Sequence, residues 1–209
     1  MISATQALDQ LMAGNRRFAD GEPRPKELDN RPDLDRLKSG QEPFAIILGC
    51  SDSRVPAEIV FDQGLGDLFV IRVAGNIVAP SQIGSIEFAA ELFGTRLVIV
   101  LGHSSCGAVK ATLDQLATPT ENRSTHLGAI VNRIKPAVEP LYRAYLGKDI
   151  DQLYEHAVRA NILASANFLR HGSQFLEELI DQDGLLVVGA EYSLETGVVD
   201  FFDGLPVPG

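Results

Sequence analysis

The sequence predicts an α/β protein: a mostly parallel central sheet, four parallel strands plus an antiparallel edge strand, flanked by helices and preceded by an N-terminal helical arm. Three observations carry this. Short, continuous apolar runs such as FAIILG and RLVIVLG read as strands covered on both faces. Stretches of helical period separate those runs. The last apolar run, VVDFF, follows a Glu195-Thr196-Gly197 turn, which makes it the returning arm of a hairpin and so an antiparallel edge.

Taken in order, Ala7, Leu8, Leu11 and Phe18 fall near helical spacing and predict a helical arm over residues 4–19. Its apolar face is expected to pack on a neighbouring subunit or on its own domain. Residues 21–33, rich in proline and charge, read as a linker. Strands are expected over 44–49, 68–75, 96–102 and 185–192. Helices are expected over 81–93, from Cys106 through CGAVKATLDQL, near 121–138, and over 150–180 with an interruption at His171-Gly172. The 209 residues suit one domain over 1–209, of which 1–33 is arm and linker.

Composition excludes several classes. At 45% hydrophobic residues the chain is not disordered, and no apolar run reaches the roughly 18 residues of a membrane span. The N-terminus lacks the charged start and apolar middle of a signal peptide, so the protein is expected to be soluble and cytoplasmic. A net charge of −10 argues against nucleic acid and anionic membranes as partners.

The chemistry sits at two strand ends. Cys50 follows FAIILG, and His103 follows RLVIVLG. Parallel sheets place their sites at the C-terminal ends of strands, so these residues share a crevice if the two strands are neighbours. Cys106 lies three residues after His103, just before a helix, where a thiol ionises easily. Two thiolates and an imidazole suit zinc and leave a fourth position for water or a carboxylate. Asp52, two residues from Cys50, is the candidate for that position, and Arg54 is its candidate partner. A structural alternative for each feature is inert buried thiols and a plain salt bridge.

CSDSRVPAE followed by GHSSCGAVKA, with GDLFVIRVAGN and GSIEFAAELFG between them, resembles the β-class carbonic anhydrases over essentially the whole chain. The resemblance implies one zinc ion per chain held by Cys50, His103 and Cys106, with Asp52 able to coordinate it or to pair with Arg54 as a catalytic dyad. It implies reversible hydration of carbon dioxide to bicarbonate and a proton by zinc-bound hydroxide. It further implies Gln41 and Gly107 as contacts to substrate, and Phe69, Ala74 and Phe88 as an apolar pocket shared with a second subunit of a homodimer or homotetramer. Relatives that hydrolyse carbon disulfide, or a closed structural zinc module, are the alternatives. The allosteric bicarbonate site of some family members uses a tryptophan, an arginine and a tyrosine. Arg72 and Tyr192 match the last two, but Ile47 stands at the tryptophan position, which argues against that site here. His126, His156 and His171 match no site motif.

Overall fold

The computed structural model describes residues 2–22, 34–119, 124–146 and 149–206. Most of the expected linker, residues 23–33, and the start of the expected helix at 121–123 lie outside the described residues.

Five strands form one sheet. They are β1 (Ala45–Gly49), β2 (Leu68–Arg72), β3 (Leu97–His103), β4 (Leu186–Tyr192) and β5 (Val199–Asp203), in the spatial order β2-β1-β3-β4-β5. The pairs β1–β2, β1–β3 and β3–β4 are parallel, and β4–β5 is antiparallel, as the sequence predicts. The helices are α1 (Ala4–Ala19), α2 (Leu34–Ser39), α3 (Ala57–Val60), α4 (Pro80–Leu92), α5 (Gly107–Ala117), α6 (Thr125–Ala144), α7 (Ile150–His171) and α8 (Gln174–Gln182).

Every residue of β1 and β3 is buried, because helices cover both faces of the sheet centre. Alternation then divides the side chains. Ile46, Leu48, Val98, Val100 and Val187 join a core with α4 to α8. Ala45, Ile47, Leu97, Ile99, Leu101, Val188 and Ala190 face a second core with α1 and α3. β2 and β5 are the less buried edges.

Ala4, Ala7, Leu8 and Leu11 of the arm are buried against the chain's own sheet. Asn15 fixes the docking: its Nδ2 donates to the carbonyls of Val60 and Gly197, and its Oδ1 accepts from the Val199 amide at 2.8 Å. A Ser3–Gln6 capping box starts the helix.

Two element ends and two short helices differ from expectation. β2 ends at Arg72, not at 75, because a short 3-10 turn, Ala74–Asn76, follows with Gly75 in the left-handed region at φ 72°. α6 runs on to Ala144 through Pro136 and Pro140. Both prolines are exposed, so the carbonyls they leave without a helical partner lie on the solvent side. The short helices α2 and α3 show no periodicity long enough to read from sequence. The break at His171-Gly172 is real, and Ser173 caps α8 by accepting from the Leu176 amide.

Gly14 marks the tightest point of the arm's docking: a Cβ there would sit 1.9 Å from the Phe61 carbonyl oxygen. On intrinsic propensity, Gly14→Ala should stabilise a helix by roughly 1 kcal/mol. We expect the reverse, a loss of stability in urea unfolding, because α1 must lift off α3 to make room. A stabilised variant would show that the arm is not seated on its own domain.

Candidate metal centre

β1 and β3 are hydrogen-bonded neighbours in parallel register, with Gly49 opposite Leu101. Their C-terminal ends therefore deliver Cys50 and His103 to one place. Cys106 returns to the same place within three residues, and the turn that allows this has Ser105 in the left-handed region at φ 56°. The ligand atoms of Cys50, His103 and Cys106 lie within 4.8 Å of one another, and all three residues are buried.

The donor set fits a metal ion. His103 Nδ1 faces the Ser104 carbonyl at 2.8 Å; a carbonyl only accepts, so Nδ1 carries the proton and Nε2 keeps its lone pair. That Nε2 is buried with no hydrogen-bond partner. An orphan of this kind costs about 1–3 kcal/mol, which a cation at the cluster would remove. The two thiols make the same case. The Cys106 thiol donates toward Cys50 and, with His103 and the Gly75 amide, pulls the Cys50 pKa down against its burial. Cys106 is pushed up, first by that same hydrogen bond and then by burial. Two neighbouring thiolates repel each other, and a dication is what would let both ionise. His103 is shifted upward: burial opposes its charge, but the Cys50 sulfur, the Ser104 carbonyl and Asp52 outweigh it.

Asp52 stands beside this group. Its Oδ1 accepts from Arg54 Nε at 2.9 Å and from the Arg54 backbone amide at 3.0 Å, and its Oδ2 accepts from Arg54 Nη2 at 2.8 Å. The bidentate pair holds the carboxyl well below the usual carboxylate range. Asp52 Oδ2 lies 3.8 Å from His103 Nε2, so it is near the cluster while engaged elsewhere. Of the two arrangements open to Asp52, the structure has the one paired with arginine.

The remaining expected residues are placed as follows. Gly107 opens α5 directly after Cys106, and a Cβ there would meet nothing within 4 Å. Ala74 lies in the 3-10 turn. Phe69 packs with Phe88 and Phe93, ring centroids 6.1 and 6.0 Å away, and Phe88 is 47% exposed. Gln41 is exposed on the segment before β1 and makes no hydrogen bond among the described residues. His126 and His171 are exposed; His156 Nδ1 meets the Tyr145 hydroxyl at 3.1 Å on the surface.

Several supports escape the sequence reading. Arg72 Nε donates to the Cys50 carbonyl at 2.9 Å, and its Nη2 to the Asp52 carbonyl. Arg54 Nη2 also reaches the Ser105 carbonyl at 3.3 Å, tying the two ligand loops together. Tyr154 donates to the Cys106 carbonyl at 2.6 Å from α7. The Gly75 amide donates to Cys50 Sγ at 3.3 Å. Only Gly75 has a local signal, a glycine-asparagine pair just after an apolar run.

A family model described as carbonic anhydrase matches residues 45–199. Carbonic anhydrase 2 of Mycobacterium tuberculosis is 38% identical over 200 residues, covering 94% of this chain and 90% of that protein. Among solved structures, the β-carbonic anhydrase CcaA is 28% identical with a TM-score of 0.72, covering 95% of this chain and 89% of that one. One of two tetrameric β-carbonic anhydrases from Sordaria macrospora, 23% identical, has the same fold with a TM-score of 0.75, covering 95% of this chain and 98% of that one.

The depressed Asp52 pKa has a signed consequence for metal-free protein. A carboxyl whose folded pKa lies below its unfolded value of about 3.9 adds stability above that pH, lost as pH falls through the folded value. Arg54→Ala should therefore be less stable than the wild type at pH 7, and the gap should close progressively below about pH 4. Arg54 is more than half exposed, so solvent screens the pair and the gap is small. Urea titrations at pH 7 and pH 3 measure it; an equal gap at both would mean that Arg54 supports the fold by other contacts.

Proposed function

The chain belongs to the β-carbonic anhydrase family, and from that premise we propose that it catalyses the zinc-dependent, reversible hydration of carbon dioxide to bicarbonate and a proton. The observation that carries the reading is the buried Cys50-His103-Cys106 group with its orphaned Nε2, set beside a carboxylate held by arginine. Cys50 Sγ, Cys106 Sγ and His103 Nε2 would hold one zinc ion per chain. Zinc there would supply Lewis acidity, lowering the pKa of a coordinated water to roughly 7 or above, since two thiolates offset its charge.

The protein's part is to orient and to exclude. Arg54 keeps the Asp52 carboxylate turned from the cluster, so that Asp52 does not take the position a reactant needs. Asp52 remains an anion across the working pH range and can accept a hydrogen bond from the reacting water, fixing its lone pair toward carbon dioxide. Carbon dioxide has no net dipole, and Phe69, Ala74 and Phe88 offer it an apolar wall. The Gly107 backbone, with open space beside it, and the Gln41 amide would serve the anionic product. His103 keeps its proton on Nδ1 throughout, against the Ser104 carbonyl. The pairing of Asp52 with Arg54 supports a working site over a closed structural one.

We also propose a homodimer or a homotetramer of single-domain chains working in the cytoplasm. The arm's apolar stripe is covered by its own sheet, and another apolar surface stays open to a second copy. It is the patch of Phe88 and Leu92 on α4, 47% and 61% exposed, beside the edge strand β2. The two free thiols suit a reducing compartment, and no helix among the described residues is long and apolar enough to cross a membrane.

Stopped-flow hydration of carbon dioxide with a pH indicator tests the activity. Rates should rise from pH 6.5 to 9, Cys106→Ala should lose both zinc by elemental analysis and activity, and Arg54→Ala should be slower by roughly 10–100-fold across the range. A wild type without activity, or a Cys106→Ala protein with a full zinc complement, would refute the assignment. For assembly, Leu92→Asp should lower the mass seen by light scattering while leaving the far-ultraviolet spectrum unchanged. An unaltered mass would move the interface elsewhere.

A further inference from the structure

Asn161 lies on α7, remote in sequence from every ligand loop, and is 2% exposed. Its Nδ2 donates to the Gly75 carbonyl at 2.8 Å within the core. The amide of the same glycine donates to Cys50 Sγ at 3.3 Å. The two bonds hold Gly75 at both ends in a left-handed conformation, φ 72°. The third side is closed as well: a Cβ on Gly75 would lie 2.8 Å from Ile134 Cδ1 and 3.0 Å from Ala108 Cβ. Gly75 therefore has no direction in which to drift while its carbonyl is held, and its amide stays aimed at the sulfur.

We propose that Asn161 is a positioning residue for the metal centre, acting through Gly75 to keep an amide hydrogen bond on the Cys50 sulfur. An N–H donor on a thiolate draws charge from the sulfur, so the sulfur gives less of it to a bound cation. Less donation leaves the cation a stronger Lewis acid. The hydrogen bond thus works against the general weakening that two thiolate ligands impose. An apolar residue at 161 would free the Gly75 carbonyl, and a turn no longer held at that end can rotate toward another donor and take the amide away from Cys50.

This inference rests on the reading of Cys50 as a metal ligand, and cobalt in place of zinc separates the two. Cobalt-loaded wild-type protein should show a near-ultraviolet thiolate-to-cobalt charge-transfer band. Asn161→Leu and Asn161→Asp, neither able to donate as the amide does at pH 7.5, should both move that band to longer wavelength, because an undressed sulfur gives up charge more readily. Asn161→Asp preserves the side-chain shape and keeps the test alive should the leucine variant not fold. Leu169→Ala, a buried cut two turns along the same helix, should lower stability and leave the band in place. No thiolate band in the wild type would sink the metal reading and this one with it. A wild-type band that neither Asn161 variant moves, or that Leu169→Ala moves equally, would overturn the role of Asn161 alone.

Discussion

The site depends on one constraint: β1 and β3 lie side by side and run the same way. Parallel neighbours end at the same edge of the sheet, so residues just past each strand come together without any further loop design. Cys50 and His103 are 53 positions apart in numbering, yet their meeting costs only the right-handed crossover that any parallel pair requires. The intervening chain makes the edge strand β2 and the covering helix α4 before returning as β3. If β2 stood between β1 and β3, the two ligands would be about 10 Å apart and the cluster could not form.

That is also why so much of the site was legible in the sequence. Both strands are continuous apolar runs that stop at a chemically active residue, and such an ending is visible without a structure. Cys50, His103 and Cys106 then follow from strand ends alone, and Asp52 with Arg54 from proximity to one of them. What was not legible depends on groups with no side-chain signature. The Gly75 amide on the sulfur and the Ser104 carbonyl on the imidazole are backbone atoms. Tyr154 and Asn161 arrive from α7, whose register against the sheet no local pattern announces. The arm shows the opposite limit. Its amphipathic stripe was plain, but periodicity says only that a face must be covered; the partners of Asn15 decide by what.

Two arginines brace the ligand loops. The protein carries −10, while Arg54 and Arg72 reach into the ligand loops. Their targets are mainly backbone carbonyls and Asp52, so they act first as braces. Arg72 binds the carbonyls of Cys50 and Asp52 and so fixes the loop that carries both. Arg54 joins that loop to the turn between His103 and Cys106. A planar guanidinium can span two such acceptors in fixed geometry where an ammonium could not.

Three polar donors meet in the core at this cluster. Cys50 is already drawn toward ionisation by the groups around it, against its burial. His103 is fully buried with Nε2 unpaired. Ser105 holds a left-handed backbone in the turn between His103 and Cys106, and Gly75 and Asn76 do so in the turn that faces Cys50. Such conformations persist only where surrounding contacts over-determine them. Here the contacts are known: Arg54 on the Ser105 carbonyl, Tyr154 on the Cys106 carbonyl and Asn161 on the Gly75 carbonyl. Arg54 and Tyr154 restrain the turn that carries His103 and Cys106, and Asn161 restrains the turn that faces Cys50, each through a backbone carbonyl.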